Sequence, residues 1–317
     1  MSLVMHPGYR KNELFPEEYS CLGIVAPAGP VTPAKFRSAC DFLTRLGVRF
    51  IAGESILEGD QLSYLSAPRG RRIDDLNAMI RNPEVRAVYC LRGGYGSVHL
   101  LDGIDWAELK RRNLPVIGYS DITALHTAMV KTGAGVAVSA CMGLTLEQDA
   151  ADGAFRHGFR RALAYALNPS GEFRETAQLR ACGGSGSLEE APLFCGNLTV
   201  LTSLCGTPYL PEMTGKVIFL EDIGEPVRKL DRALMQLKLS GFFRGCAGVV
   251  FGDFEDCGDP CEQEELFRRF AAELSVPVFA GLHYGHCRRS VSLVCGEPVR
   301  IRNGVLELRD PFSGKTP

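Results

Sequence analysis

The sequence has no run approaching the roughly 18 apolar residues that a membrane-spanning helix needs. It carries almost no net charge, −2 over 317 residues, so neither nucleic acid nor an anionic membrane surface has an electrostatic reason to bind. Its glycine-rich Arg92 to Gly96 turn has neither the Gly-Lys-Ser/Thr of a phosphate loop nor a complete Gly-x-Gly-x-x-Gly fingerprint. There is one tryptophan, Trp106, so an aromatic platform for a base is scarcely available. Twelve cysteines are present, but only Cys257 and Cys261 are near neighbours, and no second close pair completes a zinc site. No metal is expected. The first residues, Met-Ser-Leu-Val-Met-His-Pro, lack the basic and apolar regions of a signal peptide. A cytoplasmic protein with reduced, core-packed thiols is therefore expected. No internal repeat is visible.

What remains is ordinary globular material: 45% hydrophobic and 23% charged residues in a chain long enough for two cores. In the first half, short β-branched runs alternate with helical segments. Leu22 to Ala26 reads as a strand, and Thr32-Pro33 supplies an N-cap and first-turn proline for a helix to about Leu46. Val48 to Ile51 is a second strand, Arg71 to Ile80 a helix, and Val85 to Leu91 a buried strand that empties into Arg92-Gly93-Gly94-Tyr95-Gly96-Ser97. Strand, helix, strand in this rhythm predicts right-handed crossovers and a mostly parallel sheet, with its site at the carboxyl ends of the strands.

Between about Arg156 and Ala191 the pattern changes, and the Gly183 to Ser187 run is read as the junction. An N-terminal α/β domain over 1–170 and a C-terminal domain over 183–317 are expected. The second half predicts a helix after Asn197, a strand Lys216 to Leu220, a long amphipathic helix Val227 to Leu239 and a strand Gly248 to Phe251. It ends in a hairpin around Asn303-Gly304.

Ser120 sits where an apolar strand (Val116, Ile117) meets a glycine and a helical stretch begins at Ile122. A serine on such a corner thrusts its hydroxyl out at the sheet's carboxyl edge, beside the free N–H groups of a helix start. Gly-Tyr-Ser-Asp-Ile lacks the second glycine of Gly-x-Ser-x-Gly, and a serine there also serves as a plain N-cap. A hydroxyl needs an oriented base to become a nucleophile. Of six histidines, His6 lies in an N-terminal tail and His99, His126 and His157 fall in helical segments. His283 and His286 occupy a glycine-punctuated loop after the strand Val276 to Phe279, and His286 is preferred. Glu221, at the end of the Lys216 to Leu220 strand, is the best orienting carboxylate, with Asp222 facing the other way; helix capping ahead of Val227 is the competing explanation. The Asp121 N–H and a turn N–H, from Gly94, are candidates for an oxyanion hole. Arg92, or the Arg288-Arg289 pair, could hold a substrate carboxylate. A non-catalytic module that holds a phosphate or sugar in the Arg92 to Gly96 turn remains an alternative.

Taken together, these segments resemble the LD-carboxypeptidase family of serine peptidases, which includes muropeptide LD-carboxypeptidases and microcin C self-immunity peptidases. The matching stretches are Leu91-Arg-Gly-Gly-Tyr-Gly, Gly118-Tyr-Ser-Asp-Ile-Thr-Ala-Leu, Gly196-Asn-Leu-Thr, Gly206-Thr-Pro-Tyr, Phe219-Leu-Glu-Asp-Ile-Gly-Glu-Pro, Leu230-Asp-Arg and Gly285-His286. The resemblance implies a Ser120–Glu221–His286 triad and a Rossmann- or flavodoxin-like first domain. It also implies a mixed α/β second domain with a barrel-like sheet, a homodimer, and no cofactor. Asn197, in a family-like segment, is a further candidate substrate contact. The implied reaction releases terminal D-alanine from a murein tetrapeptide; hydrolysis of an aminoacyl or peptidyl nucleotide is the alternative. Two departures put the substrate in question: Cys195 before Gly196, and Cys287-Arg-Arg after His286.

Overall fold

Four- and five-residue runs, too short for helices and mostly apolar and buried except at the Arg49–Ala52 edge, form the first sheet in a computed structural model that describes residues 11–184 and 187–313. His6 lies outside the described residues. The strands are β1 (Cys21–Val25), β2 (Arg49–Ala52), β3 (Ala87–Cys90), β4 (Pro115–Gly118) and β5 (Val136–Ser139), all parallel, in the order β5-β4-β3-β1-β2. This is the flavodoxin-type order, in which the connection reverses between β1 and β3. Helices Pro33–Arg45 and Arg69–Arg81 cross between strands, and the first begins as expected, with Thr32 accepting from the Lys35 N–H and proline in the first turn. Among the described residues no helix is long and apolar enough to cross a membrane.

The second sheet is built from β6 (Glu172–Gln178), β7 (Arg180–Gly183), β8 (Leu188–Asn197), β9 (Val217–Ile223), β10 (Gly248–Glu255) and β11 (Val278–Ala280). Next in the chain, β12 (Leu293–Val294) returns to the first sheet and pairs antiparallel with β5. The hairpin β13 (Pro298–Arg302) and β14 (Val305–Asp310) completes the second sheet. Its order is β6-β14-β13-β8-β9-β10-β11-β7, with β8 to β11 parallel and the rest antiparallel. The two edge strands, β6 and β7, are one residue apart in the chain, so the sheet must curl until its edges meet. The Asn303-Gly304 turn has both residues at positive φ, 51° and 75°, as a tight hairpin turn requires.

Two sequence expectations need correcting. The glycine-rich run after Gly183 does not separate the two sheets, because β6 and β7 precede it and already belong to the second. Their exposed, charged residues carry little apolar pattern, which is why the sequence hid them. Nor does the chain after Glu221 leave the strand: β9 continues through Ile223.

The two halves are tied by a buried ion pair. Arg161, on helix Gly153–Leu167, binds Glu297, both essentially unexposed, and also donates to the Ser292 and Arg309 carbonyls. Burial raises the Glu297 carboxyl above its ordinary range, against the pull of Arg161. Removing the cation alone leaves a stranded carboxylate. Arg161→Met is therefore expected to lower unfolding free energy by about 3–5 kcal/mol, with Arg161→Met/Glu297→Leu recovering most of it, as measured by urea denaturation. A loss below about 1 kcal/mol in the single variant would contradict this, since exposed pairs behave that way.

Candidate active site

The strand β4 is buried throughout, and its last residue, Gly118, has no room for a side chain: a Cβ there would lie 2.9 Å from the Ile122 Cγ1. The chain therefore folds back tightly on itself. Tyr119 is extended, and Ser120 takes φ +63°, a conformation that side-chain-bearing residues rarely adopt. A short turn, Ser120–Ile122, then leads into helix Thr123–Thr132. Strain of this sort is maintained only where surrounding packing over-determines it. Ile122, in the place of a second motif glycine, provides that packing.

Opposite, β9 delivers Glu221 and the loop after β11 delivers His286. The imidazole bridges the other two groups: Nε2 is 3.0 Å from the Ser120 Oγ, and Nδ1 is 2.7 Å from the Glu221 Oε2. Glu221 is 1% exposed and His286 14%, so the base reaches solvent while its partner does not. Burial raises the Glu221 carboxyl above its ordinary range, and the bond to His286 opposes the shift. The ring of Tyr119 flanks the imidazole, centroids 5.0 Å apart. The two halves therefore bring the three side chains together.

Gly285 explains how the loop comes so near. It has φ +120°, and a Cβ on it would sit 2.6 Å from both Cβ and Oε2 of Glu221. Gly285→Ala should keep the fold but push His286 off its partners, and a displacement near 1 Å costs about 100-fold in kcat. Steady-state kinetics on the folded variant checks this; wild-type turnover would contradict it.

The other expected site residues are placed as follows. The Asp121 N–H and the Gly94 N–H have no hydrogen-bond partner among the described residues, as an oxyanion hole needs. The turn glycine lying against Ser120 is Gly93, where a Cβ would be 2.8 Å from the Ser120 Cβ; the Gly94 position faces Gly29. The Asp121 side chain is turned away to accept from the Ser97 N–H. Arg92 donates to the Pro30 and Gly93 carbonyls and so braces the turn. Asn197 is buried and fully engaged: its Oδ1 accepts from the Val200 N–H, its Nδ2 donates to Asp222, and its N–H donates to the Thr123 hydroxyl. It positions rather than projects. Glu221 binds His286 rather than capping the helix after Pro226, as the competing explanation required, and that helix has no side-chain cap; Asp222 binds the Thr199 N–H and hydroxyl. Arg289 pairs with Asp152. His283 is exposed and pairs with Asp253, whereas His126 is buried against the Val116 carbonyl and is lowered to about 4 by burial. Trp106 donates to the Leu101 carbonyl and packs in the first core.

Sequence reasoning missed Gly285 and Gly93 as the close-approach positions. Both lie in glycine-rich stretches, but only the fold shows which glycine meets the site.

The chain is similar to known proteins over most of its length. Residues 22–139 match the LD-carboxypeptidase N-terminal domain and residues 190–301 the LD-carboxypeptidase C-terminal domain. The probable murein peptide carboxypeptidase of Bacillus subtilis is 32% identical over 286 residues, 87% of this chain and 86% of that protein. The crystal structure of a muramoyltetrapeptide carboxypeptidase from Oxalobacter formigenes superposes with a TM-score of 0.75 at 25% identity, covering 92% of this chain and 99% of that one. The microcin C7 self-immunity protein of Escherichia coli is 26% identical over 307 residues, 87% of this chain and 88% of that protein.

Proposed function

The chain belongs to the LD-carboxypeptidase family, and from that premise we propose that it is a serine carboxypeptidase that cuts an L,D-peptide bond and releases the terminal D-alanine of a murein tetrapeptide. One observation carries the assignment of roles: a single imidazole within hydrogen-bond reach of both a strained serine hydroxyl and a buried carboxylate.

The Ser120 oxygen attacks the carbonyl carbon of the penultimate residue while His286 Nε2 takes the hydroxyl proton. Glu221 holds the Nδ1–H and thereby the tautomer that leaves Nε2 free to accept. The oxyanion forms against the Asp121 N–H and a turn N–H from the Gly93-Gly94 pair. When the tetrahedral adduct collapses, the C–N bond breaks and the His286 proton goes to the leaving amine of D-alanine. Water then attacks the acyl-enzyme and gives a proton to His286; the bond to the Ser120 oxygen breaks, His286 returns that proton to the oxygen, and the tripeptide departs. The chemistry needs no redox partner. In keeping with the resemblance, we place the protein in the cytoplasm, as a homodimer acting in peptidoglycan recycling.

Incubation with a murein tetrapeptide and, separately, an aminoacyl sulfamoyl nucleoside, with products weighed by mass spectrometry, tests the substrate. Loss of one alanine from the tetrapeptide is the expected result. Cleavage of the nucleoside conjugate alone would overturn the substrate while keeping the triad.

A further inference from the structure

The loop that carries His286 also carries a second set of chemically capable groups which the proposed hydrolysis does not use. His283, Cys287 and Asp253 place one Nδ1 or Nε2, one Sγ and one carboxylate oxygen within 4.8 Å of one another. Thiolate, imidazole and carboxylate together form the donor set of zinc-class cations. In a tetrahedral zinc site, donor atoms lie about 3.3–3.8 Å apart, given metal–ligand lengths of about 2.0–2.3 Å. The His283 Nδ1 and Asp253 Oδ2 are already 3.3 Å apart. With all three donor atoms within 4.8 Å, closing on a metal needs only a small rearrangement.

The backbone holds Asp253 and His283 in place. Asp253 sits at an irregularity in β10, where the register shifts between Phe251 and Phe254. Its N–H donates to the Tyr284 carbonyl at 2.9 Å, which fastens β10 to the loop. The preceding Gly252 has no space for a side chain, since a Cβ would meet the Tyr284 oxygen at 2.5 Å. The other side of the loop is closed by the Val291 N–H on the His283 carbonyl at 2.7 Å. Asp253 faces both its partners across this join. Arg289, which could compete for the carboxylate, is turned to Asp152.

We propose that Asp253, His283 and Cys287 form a binding site for a divalent cation of the zinc class, and that filling it slows hydrolysis by shifting Cys287, and with it the adjoining His286, off the position it holds between Ser120 and Glu221. On binding, the thiol of Cys287 loses its proton to solvent and its sulfur bonds the metal. His283 binds through a neutral ring nitrogen, Asp253 as carboxylate, and water completes the fourth position. The charges of Cys287 and Asp253 balance the cation. Sequence inspection missed the site because Asp253 lies 30 residues before His283, on another strand.

The metal site itself stands independently of the proposed activity, whereas its effect on turnover rests on that reading. Zinc competition against a chromophoric chelator, and absorption spectra with cobalt(II), report binding without any assay of hydrolysis. The wild-type protein is expected to take up one zinc that His283→Ala and Cys287→Ser each weaken about 100-fold or more. Cobalt should give a thiolate charge-transfer band that Cys287→Ser removes. His283→Ala, exposed and outside the triad, should hydrolyse substrate normally and no longer respond to zinc. Absence of zinc binding, or binding that both variants leave unchanged, would overturn the site. Zinc binding with undiminished turnover, or undiminished phosphonate labelling of Ser120 if no substrate is turned over, would overturn the coupling to His286.

Discussion

Ser120→Ala should lower kcat on a murein tetrapeptide by about 10⁶-fold while leaving the protein folded and the tetrapeptide still bound. The hydroxyl is the only group in the site that can form the acyl bond, so nothing replaces it. A residue of catalysis, about 10³–10⁴ over water, should survive through the Asp121 and turn N–H groups, which the substitution does not touch. Stability should be unchanged with alanine, because the φ of +63° must still be held. Ser120→Gly removes that strain and should be equally inactive but as stable as wild type or more so, by up to about 1 kcal/mol. This split separates the chemical role of the side chain from its conformational cost. Substantial hydrolysis by either variant would mean that the nucleophile lies elsewhere.

Glu221→Gln should lower kcat by about 10⁴-fold without lowering stability at neutral pH. The amide keeps the volume and one hydrogen bond to His286, but it no longer selects the tautomer that leaves Nε2 open toward Ser120. The stability half of the expectation follows from the sign of the shift. Burial raises the Glu221 carboxyl in the folded protein above its unfolded value. The folded state therefore holds that proton more tightly, and the stabilisation is full below the unfolded value and lost as pH rises through the folded one. At neutral pH the buried carboxylate is a cost that catalysis requires. Glutamine carries no such cost at any pH, so the fall in thermal stability from acid toward neutral pH should be shallower in the variant. An active Glu221→Gln enzyme, or one that unfolds, would place the function of Glu221 elsewhere.

The cluster of Ser120, Glu221 and His286 was legible because each occupies a position defined by local chemistry: a serine after a buried strand and a glycine, an acid at a strand's end, and a histidine after a glycine in a loop. The mostly parallel first sheet was legible in the alternation of apolar runs and helical segments, whereas its flavodoxin-like character came only with the family resemblance. What escaped depends on distant partners. Nothing local announces that Leu293–Val294 returns to the first sheet to pair with β5, or that the polar strands β6 and β7 close the second. Asn197 resembled a substrate contact because its segment is family-like. Its amide is in fact consumed by Val200 and Asp222, while its N–H links β8 to the nucleophile's helix through Thr123. Arg92 was attractive as a free guanidinium, but the Pro30 and Gly93 carbonyls take up its donors.

The most direct measurement is covalent trapping with a serine-directed phosphonate followed by peptide mapping. One equivalent should attach to Ser120, and the rate should collapse in His286→Ala because the imidazole no longer accepts the hydroxyl proton. Attachment at another residue, no attachment at all, or an undiminished rate without the imidazole would contradict the arrangement described.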